Sequence, residues 1–311
     1  MRQSPVATVA PSTVGDRLRE AASEVGLDRL GILAEDRDVV RGWLLAVAAD
    51  PAELEHVAAL REAVLLPALG AWDGLEDRPA FPDDTRTHPL GRGVLPLCAL
   101  AATADDAVAE LHRRGVPDAV GARALTDLGQ QVAKDRRVNG TTGLHNQDWL
   151  RVVWSGGFLW VGRLQFEPAL SRLGEPDGPQ RRVLSVHIPA TGPLDPVAVD
   201  SAFTDATALY ARHYPYLGPV EAFVCHSWLL DPALPGLVPG SNVAAFARRW
   251  TTWRCTDGDR DACYFAFDTE PPPGALPDLD ALPGDSMLRR ALLAHWRTGG
   301  HLRTCSGRAV R

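Results

Sequence analysis

Two short apolar runs in this chain each end in side chains able to move protons or attack carbon. The first, from Val183 to Ile188, closes on His187-Ile188-Pro189; the second, from Val220 to Leu230, carries Cys225-His226-Ser227-Trp228. An imidazole titrates near neutral pH, so a neutral His187 is suited to accept a proton from an attacking ammonium. The same residue also reads as a hydrogen-bonded core histidine. Cys225 is a candidate nucleophile for a covalent acyl intermediate, and equally a small apolar core residue. Adjacent strand residues point to opposite faces, so Cys225 and His226 form no dyad with each other. Cys225 shares a face with Ser227, and His226 with Trp228, which reads as packing. Cys225 would therefore need His187 as its partner, from across the strands. Ser227 or His226 is placed to give a proton to a leaving thiolate.

Three further positions carry chemistry. Glu167, at a strand end, is either a general base or a solvated carboxylate. Arg163 lies four residues earlier on the same strand face and is expected to pair with it, since a charge in an apolar strand is costly alone. Ser241-Asn242 stands at a helix start, as an N-cap or with its free amides facing a donor carbonyl.

Apolar strands alternating with helices belong to a sheet covered on both sides, where ligands gather at strand carboxyl ends. A helix over 196–212 separates the two runs, and Ser241 opens another over 242–249. Upstream, Asp148–Ser155 and Phe158–Phe166 read as a hairpin turned by Gly156-Gly157. Downstream, 262–268 reads as a strand, 271–285 as a Pro-rich loop, 286–298 as a helix and 301–310 as a closing strand. Residues 1–11 read as a disordered tail and 12–143 as mostly helical. Ser12 is expected to cap a helix ending at Gly26, Pro51 to open one ending near Gly70, Thr103 to cap one through Arg114, and Pro117 to open one through Lys134.

Composition narrows the classes. The 311 residues are 45% hydrophobic and 23% charged, as in a globular protein. A formal net charge of −7 without basic runs argues against nucleic-acid or anionic-membrane partners. Five scattered cysteines, never in a CxxC pair, make a disulfide framework or zinc site unexpected and point to a reducing compartment. The start MRQSPVATVAPST lacks the apolar core of a signal peptide, and no run approaches a membrane span, so a cytoplasmic location is expected. No G-x-S-x-G elbow, H-E-x-x-H, P-loop or dinucleotide fingerprint occurs.

The element order after the first helices resembles the GNAT-type N-acyltransferases. WVGRLQFE (160–167), VHIP (186–189), CHSWLLDP (225–232) and SNVAAF (241–246) resemble a bacterial group that joins a helical N-acyltransferase N-terminal domain to a GNAT-like C-terminal domain. TTGLHNQDWL (141–150) resembles the junction of that group. The resemblance implies an α+β fold, a tail over 1–11, a helical acyltransferase-type domain over 12–143 and a GNAT-like mixed sheet with helices on both faces over 144–311. It implies transfer of an acyl group from acyl-CoA (acetyl-CoA included) or an acyl carrier protein to an amine by direct attack, with no tightly bound cofactor or metal. It also implies that the strands 183–188 and 220–230 lie side by side, parallel, and diverge after His187, admitting the donor's pantetheine; the deepest pocket is expected at these strand ends, lined by His187, His226 or Ser227, and residues 189–192.

One departure stands out. Typical members carry a Q/R-x-x-G-x-G/A turn whose amides cradle the coenzyme pyrophosphate. Here the turn is Ile188-Pro189-Ala190-Thr191-Gly192-Pro193, with one glycine and two prolines that have no N–H. HPLGRG at 88–93 is the nearest match elsewhere and reads as a surface loop. Donor binding then falls to the backbone of Ile188, Ala190, Thr191 and Gly192 and to Ser241 and Asn242, and the nucleotide is expected to contribute little. A carrier protein would need a basic contact such as Arg181-Arg182 or Arg248-Arg249. Two other classes stay open: a non-catalytic GNAT-like scaffold, and a Cys225-dependent thioester hydrolase or transferase.

Overall fold

In a computed structural model of the chain, residues 11–71 and 79–309 are described, and the chain divides into two compact units, 1–160 and 161–311. The expected tail lies outside the described residues except for Pro11, which opens the first helix.

The first unit is helical: α1 (Pro11–Ala21), α2 (Glu24–Arg29), α3 (Arg37–Ala49), α4 (Pro51–Leu60), α5 (Val94–Arg113), α6 (Asp118–Leu125), α7 (Asp127–Asn139) and α8 (Gln147–Trp154). Its core includes Leu18, Leu44, Val57, Leu100, Leu128 and Leu150, all shielded from solvent. The helix from Ser12 does not run to Gly26. It breaks at Ser23, whose hydroxyl accepts from the Gly26 amide at 3.0 Å and starts α2. Thr103 is no cap either: α5 begins at Val94, and the buried Thr103 hydroxyl donates to the Ala99 carbonyl at 2.7 Å. The segment from Asp148 is helical rather than extended, because Gln147, Leu150, Arg151 and Trp154, spaced three and four apart, are buried together with Val153.

The loop at 88–93 is structural. Leu144 donates to the Arg92 carbonyl at 3.0 Å, and Arg92 itself binds the fully buried Asp135 at 3.0 Å. Gly93 has φ +69 and sits against the Leu144 carbonyl where a Cβ would collide. Burial alone would push the Asp135 carboxyl up. Hydrogen bonds from His145 and Asn139 and the charge of Arg92 together hold it below the usual range.

The chain passes between the units within β1 (Leu159–Val161). The elements that follow are β2 (Leu164–Ser171), β3 (Arg181–His187), α9 (Pro196–His213), β4 (Ala222–Ser227), α10 (Leu234–Leu237), α11 (Asn242–Ala247), β5 (Trp250–Asp257), α12 (Asp259–Phe267), α13 (Met287–Arg297) and β6 (Arg303–Ala309). They build a six-stranded sheet in the order β1-β2-β3-β4-β6-β5. β3 and β4 run parallel, while β2–β3, β4–β6 and β5–β6 are antiparallel. The hairpin turns at Gly162-Arg163, with Gly162 at φ +58, and not at Gly156-Gly157, because residues 147–154 belong to a helix. The strand expected at 262–268 is part of α12, whose buried residues Asp259, Ala262, Cys263 and Phe267 follow a helical period.

One face of the sheet is apolar. Phe166, Leu184, Val186, Phe223 and Cys225 are buried there, with Phe203 of α9 against Phe166 and Phe223 at ring distances of 6.1 and 4.5 Å. The Tyr210 hydroxyl of α9 donates to the Phe166 carbonyl at 2.7 Å. Each such aromatic contributes about 1.5–3 kcal/mol by leaving water, which fixes the strands that carry the polar side chains of the other face. The disulfide that the cysteine pattern made unexpected is present between Cys255 and Cys305, facing residues of β5 and β6. Fifty residues separate them in the chain, so only the strand register brings them together.

Candidate active site

The parallel ladder pairs Val183 with Ala222, Leu184 with Phe223 and Ser185 with Val224, and then stops. Beyond that point β3 stays paired to β2 through Gln165–His187, and β4 to β6 through Ser227–Cys305. The two strands therefore part after Ser185, two residues before the position expected from Pro189. Among the described residues no ladder pair joins the two strands beyond Ser185–Val224.

Register and alternation decide which side chains meet. Glu167, Ser185 and His187 share a face with Val224, His226 and Ser306. On that face His187 Nε2 lies 3.0 Å from Glu167 Oε1 and 3.3 Å from Ser185 Oγ. An ionised carboxylate only accepts, so the neutral ring carries its proton on Nε2, and Nδ1 is its basic nitrogen. Glu167 and His187, two separate candidates in the sequence, thus form one dyad. Across the gap, His226 Nδ1 lies 2.9 Å from Ser306 Oγ. His187 is half-buried and His226 exposed.

Cys225 and Ser227 lie on the opposite face. Cys225 is 3% exposed, and burial pushes its thiol well above the usual range. The pairing of Cys225 with His187 is therefore ruled out by the plane of the sheet. The Ser227 hydroxyl accepts from the Leu229 amide at 3.1 Å and starts a short 3-10 turn. Trp228 is buried in that turn, where strand alternation with His226 no longer applies. Ser241 caps α11, its hydroxyl accepting from Ala244 at 3.0 Å and donating to the Val238 carbonyl at 2.7 Å. No hydrogen bond among the described residues joins Ser241 or the neighbouring Asn242 to the gap.

Arg163 does not pair with Glu167. It occupies the hairpin turn, and its guanidinium donates to the carbonyls of Pro193 at 2.8 Å, Gly192 at 2.9 Å and Pro189 at 3.1 Å. Turn residues Ala190, Thr191 and Gly192 are exposed, and Ile188 is half-buried. Two cavities lie elsewhere, one of about 140 Å³ lined by residues including Arg17, Ala101 and Asp105, another of about 440 Å³ lined by residues including Asp259 and His301. Neither of these two cavities is lined by the side chains of the gap, where His187 and Ser227 are half-buried and His226 is exposed.

Ser185 and Ser306 were not among the sequence candidates. Ser185 was visible by alternation from His187; Ser306 required the register of β6, which no local pattern encodes.

A mixed six-stranded sheet whose parallel β3–β4 pair parts after Ser185, following a helical N-terminal unit, matches a GNAT-like acyltransferase fold. The family comparisons agree: residues 24–156 match an N-acyltransferase N-terminal domain and residues 158–309 a GNAT-like C-terminal domain. The chain belongs to the acyltransferases that join these two domains. Among solved structures, it is similar to an acyltransferase in complex with decanoyl-CoA, at 26% identity and TM-score 0.75, over 97% of this chain and 99% of that one. A mutant acyltransferase in complex with octanoyl-CoA aligns at 28% identity and TM-score 0.72, over 96% and 93%. An acyltransferase with decanoyl-CoA and teicoplanin aligns at 29% identity and TM-score 0.70, over 97% and 99%. No curated protein matches the sequence. The chain is an N-acyltransferase, and no described helix is long and apolar enough to cross a membrane.

Proposed function

We propose that the chain transfers a medium-length acyl group from coenzyme A to an amine of a teicoplanin-like small molecule, with His187 as base and Glu167 holding it. The observation that carries the assignment is the 3.0 Å Glu167–His187 contact at the open edge of the parallel strands. The amine nitrogen attacks the thioester carbonyl, a C–N bond forms, and the C–S bond breaks as the thiolate leaves. The proton of the attacking nitrogen goes to His187 Nδ1, whose positive charge Glu167 then balances. Backbone amides at the parting edges of β3 and β4 hold the oxyanion. A protonated His226, steadied by Ser306, gives a proton to the thiolate from the opposite lip and takes one back from solvent.

The donor and acceptor classes are supported by solved relatives with decanoyl-CoA, octanoyl-CoA and teicoplanin. Coenzyme A is favoured over a carrier protein because most of the expected basic contacts are engaged. Arg181 pairs with Glu221 at 3.2 Å, Arg182 holds the Tyr216 and Leu217 carbonyls, and Arg249 holds Asp200. A cytoplasmic location fits three buried unbridged thiols, Cys98, Cys225 and Cys263; the Cys255–Cys305 bridge argues the other way.

The test is steady-state kinetics with decanoyl-CoA and an amine acceptor. His187→Gln is expected to lower kcat/KM by about 10²–10⁴-fold. Glu167→Gln is expected to cost less, about 10-fold to 100-fold, since the base remains and only its orientation and charge balance are lost. A His187→Gln enzyme that melts like the wild type and keeps its full rate would remove His187 from the mechanism.

A further inference from the structure

Resting on the acyl-CoA reading, we propose that Arg163 is a positioning residue that converts the glycine-poor turn 189–193 into a binding turn for the donor's diphosphate. The carbonyls of Pro189, Gly192 and Pro193 all converge on its guanidinium, at 3.1, 2.9 and 2.8 Å. In a trans peptide the C=O and the following N–H point in opposite directions. Pinning the Pro189 and Pro193 carbonyls inward therefore turns the amides of Ala190 and Leu194 away from the arginine. Among the described residues no protein acceptor takes either amide. The Thr191 amide is already spent on the Pro189 carbonyl at 2.8 Å, and Pro193 has none.

The start of α9 does not offer a substitute. Pro196 at its first position has no N–H, and the Asp195 carboxylate accepts from the Ala198 amide at 3.0 Å. A second anion at that helix end would meet the carboxylate. Phosphate recognition then falls to the amides of Ala190, Gly192 and Leu194, held in place by one planar side chain instead of by several glycines, and to the positive charge beneath them. The prolines that deprive the turn of donors also make it stiff, so three hydrogen bonds suffice to set its orientation. A diphosphate held in this way contributes to donor affinity, the opposite of the expectation that the nucleotide contributes little.

The experiment measures binding of decanoyl-CoA and of decanoyl-pantetheine, which lacks the diphosphate and nucleotide, to the wild type, Arg163→Lys and Arg163→Ala by calorimetry. The wild type is expected to bind decanoyl-CoA at least about tenfold more tightly than decanoyl-pantetheine. Both variants should lose most of that preference while their affinity for decanoyl-pantetheine changes less than about threefold. Guanidinium ion at millimolar concentration should restore the preference in Arg163→Ala. Lysine keeps the charge without the fork, so an Arg163→Lys protein equal to the wild type would overturn the proposal. So would equal losses for both ligands, which mark a merely structural role, or a wild type with no preference for the nucleotide. A wild type that prefers decanoyl-CoA but transfers no acyl group would sink the activity reading and leave this one standing.

Discussion

Cys225 and His187 are kept apart by the plane of the sheet rather than by distance along the chain. The register Val183–Ala222 puts His187 on one face and Cys225 on the other, among Phe223 and its apolar neighbours. A thiol held there stays protonated, because burial in an apolar setting penalises the thiolate. Direct attack by the amine therefore needs no help from it. Cys225→Ala is expected to retain kcat/KM within about twofold and to cost about 1 kcal/mol of stability through lost packing. Iodoacetamide should leave Cys225 unmodified in the folded protein and label it after denaturation, as read by peptide mass spectrometry. Loss of activity by several orders of magnitude in a folded Cys225→Ala protein would restore the covalent mechanism.

At the scale of elements, the Cys255–Cys305 bridge joins β5 to β6 and closes a loop that contains α12 and α13. For a loop of 50 residues, chain entropy alone gives about 4 kcal/mol of stabilisation. A reductant such as dithiothreitol, or the double change of Cys255 and Cys305 to Ser, is expected to lower the denaturant midpoint by a matching amount. An unchanged midpoint would mean that the strand ladder holds without the covalent link. The same pair shows where sequence reading stops. Elements with a clean local signal were legible: α9 from Pro196, α11 from its Ser241 cap, α13 as a helix over 286–298, and the two parallel strands. Residues 262–268 were misjudged as a strand because a short run holding Tyr264, Phe265 and Phe267 has β-like composition, and only burial spacing reveals its helical face. β5 escaped notice altogether: Thr, Arg and Asp among its residues leave no alternating apolar face, and its pairing partner lies fifty positions on. In the site, His187, Glu167 and His226 were visible as residue types, but which of them meet depends on registers between strands distant in sequence.

For the molecule as a whole, charge sets a contrast between the two substrates. The protein carries a formal −7, the donor is a polyanion, and an amine acceptor is a cation before it loses its proton. At an ionic strength of about 0.01 M the Debye length is about 30 Å, so the approach of each substrate is governed by net charge; at about 0.15 M it shrinks to about 8 Å. Repulsion of the donor and attraction of the acceptor then both fade. KM for decanoyl-CoA is expected to fall about two- to fivefold across that range, while KM for a cationic amine rises by a similar factor and kcat stays level. Local contacts such as the Arg163-pinned turn act within a few ångströms and survive the added salt, so they set the donor affinity reached at the high end. Steady-state kinetics at fixed pH over a sodium chloride series reads both constants at once. A donor KM that rises steeply with salt would show that local positive groups, not the net charge of the chain, govern its approach.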